Sequence, residues 1–167
     1  MEHCNINSKK NKIIFLLIIA TALLIADQAT KLYFLDYFLN NNNKLITINS
    51  FFNLHLVFNN GISFGLFSGF KHSALFFLIT SCLITTYLIY FLFQENRKNY
   101  IISIIFIISG AIGNIIDRIA HNAVIDFIQL HYKDYFWPSF NFADSYIFLG
   151  VFALIALDLK NSTKEKK

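Results

Sequence analysis

Asp117, Asp126 and Asp144 fall within GNIIDRIAHNAVIDFIQLHYKDYFWPSFNFADSYIFLG, residues 113–150, a stretch that holds four of the chain's ten acidic side chains among apolar neighbours. Asn114, Arg118 and Asn141 lie beside them. Asp117 is followed at once by Arg118, and Asp27, in the earlier segment DQATK, is followed four positions later by Lys31. These two can be read as structural ion pairs that pin helix ends, Arg118 with Asp117 and Lys31 with Asp27. Asp126 and Asp144 differ, because neither has a basic residue within four positions along the chain. Two carboxylates left facing each other split their proton affinities, so that one stays ionised to take a proton from water while the other stays protonated to donate it. That arrangement is the working principle of an aspartic protease.

The elements that must position these residues belong to a membrane protein. Of 167 residues 56% are hydrophobic and 14% charged, well below the charge content of ordinary soluble chains, and the net charge is +4. The basic residues flank apolar runs in small groups, which is an insertion pattern and not a nucleic-acid signal. Cys4 and Cys82 have no paired spacing and suggest no disulfide. Apolar runs over 13–35, 72–93, 100–119 and 140–159 each have the length an α-helix needs to cross about 30 Å of hydrocarbon. Lys9, Lys10 and Lys12, Arg97 and Lys98, and Lys160, Lys164, Lys166 and Lys167 all fall on one side of a four-span arrangement. Both termini are therefore expected in the cytoplasm. The first run also has the shape of a signal peptide, but the polar cluster DQATK follows it at helical spacing, three further spans come after it, and no cysteine follows the run directly as a lipoprotein signal demands, so an uncleaved first helix is the better reading.

Between the first two spans, over about residues 40–70, the pattern changes. Phe52, Leu54, Leu56 and Phe58 alternate with Asn53, His55, Val57 and Asn59, which predicts a half-buried strand, with ITINS just before it as a partner. The segment NNGISFGLFSG then supplies a turn back to the membrane. The fold class expected is an all-α membrane protein: one domain over 1–167, built as a four-transmembrane-helix bundle with a small periplasmic β-sheet, a cradle, between helices 1 and 2.

Depth and angle place the polar residues together. Counted from the basic flanks, Asp27, Asp144 and Asp117 lie about 22, 24 and 28 Å along their helices, which is one layer near the outer edge of the hydrocarbon. Gly110, Gly113, Asn114, Asp117 and Arg118 share one helical face, and Asn141, Asp144 and Ser145 share another. A charge in the membrane costs several kcal/mol at its centre and less near the interface, so such a cluster needs a reason. Competing chemistries are weaker. Ser145 or Ser63 with Lys31 could form a serine–lysine hydrolase, but the spacing of a nucleophile elbow is absent. His55, His72, His121 and His131 lack paired zinc-ligand spacing. A transporter or proton channel would carry its polar groups across the span instead of gathering them at one depth.

DQATK at 27–31, NNGISFG at 59–65, GAIGNIIDR at 110–118, VIDF at 124–127 and FNFADS at 140–145, in this order and at membrane spacing, resemble the motif set of the lipoprotein (type II) signal peptidases of bacteria. The resemblance covers nearly the whole chain. It implies a four-helix inner-membrane aspartic endopeptidase with a periplasmic β-cradle, its active site near the periplasmic face, which removes the signal peptide of prolipoproteins just before a diacylglyceryl-modified cysteine. It further implies a catalytic pair at Asp126 and Asp144, supporting residues at Asp27, Lys31, Asn59, Gly61, Asn114, Arg118, Asn141 and Ala143, and a monomer acting on lipid-modified substrates with no metal or cofactor. Arg118 is expected to anchor helix 3 and the loop after it. Ser63 and Asn122 depart from the alanine and glycine usual at those positions, and asparagine tolerates the left-handed backbone that glycine would supply. Phe64, Leu66 and Phe67 are candidate walls for the substrate's lipid.

Overall fold

The computed structural model describes residues 3–41, 45–61 and 73–165. Ser63, Phe64, Leu66, Phe67 and His72 lie outside the described residues. Along the chain run α1 (His3–Asn40), β1 (Leu45–Asn49), β2 (Phe52–Asn59), α2 (Ser73–Gln94), α3 (Lys98–His121), β3 (Val124–Tyr132), β4 (Tyr135–Phe136) and α4 (Phe142–Glu165). Four of these helices are long and apolar enough to cross a membrane.

The exposed surface of the bundle is apolar. Leu17, Leu83, Phe93, Phe148 and Phe152 are each at least 60% exposed, a distribution that suits lipid as the solvent. Within the bundle α3 is the central helix: 61% of its apolar window is buried against protein, compared with 6%, 6% and 11% for α1, α2 and α4. Its neighbours approach closely because glycines line its face. A Cβ at Gly110 would stand 2.3 Å from the Ala143 carbonyl oxygen of α4, and one at Gly113 would stand 2.4 Å from the Asp27 carboxylate of α1.

The small sheet is antiparallel, in the order β1-β2-β3-β4. The expected pairing of ITINS with the alternating strand is present as β1 on β2, with Ile46 opposite Leu54. The sheet is also larger than the 40–70 segment. β3, which carries the VIDF motif, pairs with β2 and sets Asn59 opposite Val124 and Val57 opposite Asp126. The apolar, largely β-branched run of β3 is buried from Val124 to Ile128. α3 ends just before it. Asn122 takes a left-handed conformation (φ 55°, ψ 17°), and its N–H caps the Arg118 carbonyl, so asparagine here does the work of a C-terminal glycine.

The start of α4 is fixed by the sheet. Ile128 and Phe140 exchange backbone hydrogen bonds at 2.9 Å in both directions, and the Trp137 N–H donates to the Leu130 carbonyl at 2.8 Å. The chain entering α4 thus lies along β3, and the helix begins at Phe142, two residues after the apolar run starts at 140. Phe127 of β3 packs behind this junction between Phe34 of α1 and Phe142 of α4, with ring centroids 4.6 and 5.8 Å away.

Candidate functional site

Asp144 stands in the first turn of α4, where the sequence Asn-Phe-Ala-Asp forms a reciprocal cap. The Asn141 side-chain oxygen accepts the Asp144 N–H at 2.9 Å, and the Asp144 carboxylate accepts the Asn141 N–H at 3.4 Å. The Asn141 carbonyl accepts the first helical bond, from the Ser145 N–H. A carboxylate at this position also faces the positive end of the helix dipole. The other Asp144 oxygen accepts from the Asn114 amide at 2.8 Å.

Asp126 projects from β3, and it is 1% exposed. One of its oxygens accepts the Asn141 amide at 2.7 Å and the other accepts the Asn59 amide at 3.0 Å. Asn59 is itself held by its side-chain oxygen, which accepts the Gly61 N–H at 3.0 Å. All four carboxylate oxygens of the pair therefore accept a hydrogen bond, three of them from asparagine side chains. Among the described residues neither carboxylate has a salt bridge. Neutral donors orient both groups and leave the pair free to hold a proton. Burial, reinforced by the neighbouring charge of Asp144, pushes the Asp126 carboxyl up to about 7, against the opposing hydrogen bonds of Asn59 and Asn141.

Beneath the pair lies a buried ion cluster that joins three elements. Lys31, 1% exposed, spends its three ammonium protons on Asp27 (2.9 Å), Asp117 (2.8 Å) and the Asn114 side-chain oxygen (3.0 Å). Asp27 also accepts the Ala143 N–H of α4 at 2.8 Å, and Asp117 accepts the Ile125 N–H of β3 at 3.1 Å. Each acid thus caps the backbone of an element that carries one member of the pair. Ala143, 0% exposed, suits this close packing because its side chain is small.

The expected Lys31–Asp27 pair is present, but the expected Arg118–Asp117 pair is not: Asp117 pairs with Lys31. Arg118 follows Asp117 directly and so points away from it around the helix, where it donates to the Asn114 carbonyl at 3.4 Å. Gln28, within DQATK, is a further member of the cluster that its place in the sequence does not mark. Its amide donates to Asp27 (3.2 Å), the Gly113 carbonyl (3.2 Å) and Asp117 (3.1 Å). The Asn-x-x-Asp spacing was the available signal for the cap, hidden because the apolar run begins before it.

Cavities adjoin each acid separately. Asp144, Asn114, Arg118, Asn59 and Gly61 border one of about 520 Å³ that extends between α2, α3 and α4 along apolar residues such as Ile84, Leu88 and Ile147. Asp144 also borders a second, lined by Trp137, Pro138, Phe140 and Phe148. Asp126 borders a third, over the sheet, with Asn59, Gln129 and Ser139. Among the described residues, several of the groups considered for other chemistries are engaged by other partners. His55 bonds Ser139 at 2.5 Å, His131 stacks on Phe136, and the Ser145 hydroxyl donates to the Asn141 carbonyl at 3.1 Å. With all three of its protons given to oxygens, Lys31 is not the free amine base a serine–lysine pair requires.

Fold and site together define a multi-pass membrane protein with a buried, amide-held carboxylate pair at one end of its bundle. The family model described as signal peptidase (SPase) II matches residues 19–160, and the chain belongs to that family of bacterial membrane proteases. A lipoprotein signal peptidase of Rickettsia akari (strain Hartford) is 40% identical over 147 residues, covering 87% of this chain and 74% of the relative. One of Thermodesulfovibrio yellowstonii is 41% identical over 138 residues, covering 83% and 90%. Two bacterial membrane enzyme structures determined by the in meso method superpose with TM-scores of 0.76 and 0.73 at 30% and 31% identity. The first match covers 93% of both chains, the second 89% of this chain and 94% of the other.

Proposed function

We propose that this chain is an aspartic endopeptidase of the bacterial inner membrane that cleaves the signal peptide from prolipoproteins on the N-terminal side of a diacylglyceryl-modified cysteine. The observation that carries this reading is the Asp126–Asp144 pair, buried, held by amides on every oxygen and without a salt bridge among the described residues. In the mechanism, the two carboxylates share one proton. The ionised member takes a proton from a water that attacks the scissile carbonyl, and the protonated member delivers its proton to the departing amine. Asn59, Asn114 and Asn141 hold both carboxylates in place, while Lys31, Asp27, Asp117, Gln28 and Ala143 hold the elements that carry them.

The placement of basic residues supports cytoplasmic termini, which puts the sheet and the pair at the periplasmic end. A substrate anchored by two acyl chains in that leaflet reaches the pair without leaving the membrane, and each buried methylene contributes about 0.8 kcal/mol to holding it there. Phe64, Leu66 and Phe67 remain candidate walls for those chains. The test is a gel-shift assay of the purified protein with a prolipoprotein prepared with and without its diacylglyceryl group. Cleavage of the modified precursor, and far slower cleavage of the unmodified one at subsaturating concentration, is expected. Equal rates would mean that the lipid is not recognised.

A further inference from the structure

Arg118 is the cation of the site that forms no salt bridge among the described residues. Among the described residues the ion pairs are Lys31 with Asp27 and Asp117, and Arg97 with Glu95. Among the described residues Arg118 makes one long hydrogen bond, to a backbone carbonyl at 3.4 Å, and its buried Nε meets no partner. A guanidinium carries five N–H donors in a planar fork, so most of its bonding capacity is unspent. It borders the 520 Å³ cavity together with Asp144 and Asn59, in front of an apolar channel between three helices. A half-buried cation with idle donors beside a reacting pair is built to meet an anion that arrives or forms there.

Resting on the reading above, we infer that Arg118 binds the new α-carboxylate of the cleaved signal peptide. Hydrolysis adds the water's hydroxyl to the scissile carbonyl carbon, breaks the C–N bond and passes protons through the pair to the departing amine. The acyl side is left as a carboxylic acid, which ionises at neutral pH. That second negative charge appears next to a pair that already carries one, and Arg118 offsets it with the fork geometry that matches a carboxylate. The uncleaved substrate presents a neutral carbonyl at the same place, so Arg118 holds product more tightly than substrate and makes the enzyme sensitive to its own signal-peptide product.

The test measures binding directly. Fluorescently labelled synthetic signal peptides of one sequence, ending in an α-carboxylate or an α-carboxamide, are titrated with the full-length protein in detergent micelles at pH 7.5. The carboxylate peptide is expected to bind at least about tenfold more tightly to the wild type. Arg118→Gln removes the difference while leaving the affinity of the carboxamide within about twofold, and Arg118→Lys keeps part of it. Equal affinities on the wild type overturn the inference without recourse to any variant, as does a preference that survives in Arg118→Gln. Because no turnover is needed, a failure here is distinct from failure of the wild type to cleave a lipid-modified precursor, which would count against the proposed activity.

Discussion

One side chain, Asn141, bridges the two candidate catalytic acids: its amide nitrogen donates to Asp126 at 2.7 Å and its oxygen accepts the Asp144 N–H at 2.9 Å. The residue that starts α4 is therefore also the residue that aligns the sheet carboxylate with the helix carboxylate. Asn141→Ala is expected to cost about 0.5–2 kcal/mol through the lost cap alone. It should lower turnover by considerably more than that loss of stability explains, since Asp126 loses a donor and the pair its alignment. Thermal unfolding and initial rates on one preparation separate the two effects; a variant that loses stability but cleaves at the wild-type rate would deny Asn141 its alignment role.

Asp126→Asn and Asp144→Asn should each abolish cleavage while preserving membrane insertion and fold, because an amide keeps the shape but cannot exchange the proton. Residual cleavage near the wild-type level in either variant would remove the pair from the chemistry.

Much of this arrangement was legible in the sequence, and the parts that were not share a physical cause. Apolar run length marked four helices, and a period of two marked β2, because both signals are local. The polar face of α3 and the isolation of Asp126 and Asp144 from cations could also be read along the chain. Partners chosen in three dimensions could not. Val124 pairs with Asn59, and Lys31 of α1 reaches Asp117 of α3, across separations that carry no periodic trace. Along the chain the nearest cation, Arg118, therefore looks like the partner of Asp117, although adjacent residues on a helix point in different directions.

The raised proton affinity of Asp126 gives a pH signature. With its carboxyl at about 7, the folded protein binds a proton there that the unfolded chain releases near the ordinary carboxylate range. Between those values the native state holds more protons, so this group's contribution to stability is greatest at low pH and declines as pH rises through about 7. Turnover should fall over the same upper limb as the pair loses its shared proton. Asp126→Asn should flatten the decline in unfolding temperature between pH 5 and pH 8; an unchanged slope would place the titrating group elsewhere.

Gly113 tests how tightly the support is built. A methyl group there would overlap the Asp27 carboxylate, which is held by Lys31 and caps Ala143. Gly113→Ala should therefore reduce both folded yield and turnover despite the better helix propensity of alanine. A stabilised, fully active variant would show that Asp27 can move without consequence for α4.

Lys31 carries the largest expected stability effect. It supplies the positive charge in contact with Asp27 and Asp117, both almost wholly buried, and those acids in turn cap Ala143 and Ile125. Lys31→Ala strands two carboxylates in a low-dielectric interior, a change that costs about 3–5 kcal/mol when one partner of a buried pair is removed. The loss should arise from the stranded charges more than from the missing lysine. Combining Lys31→Met with Asp27→Asn and Asp117→Asn removes all three charges at similar volume and should recover much of the unfolding temperature. Turnover should recover less, because the Asn114 oxygen loses the Lys31 donor, keeps the longer one from Asn141 at 3.3 Å, and so aims its amide at Asp144 less firmly. If the triple variant is as unstable as Lys31→Ala, the cluster acts through shape and packing, and the electrostatic account of the support fails.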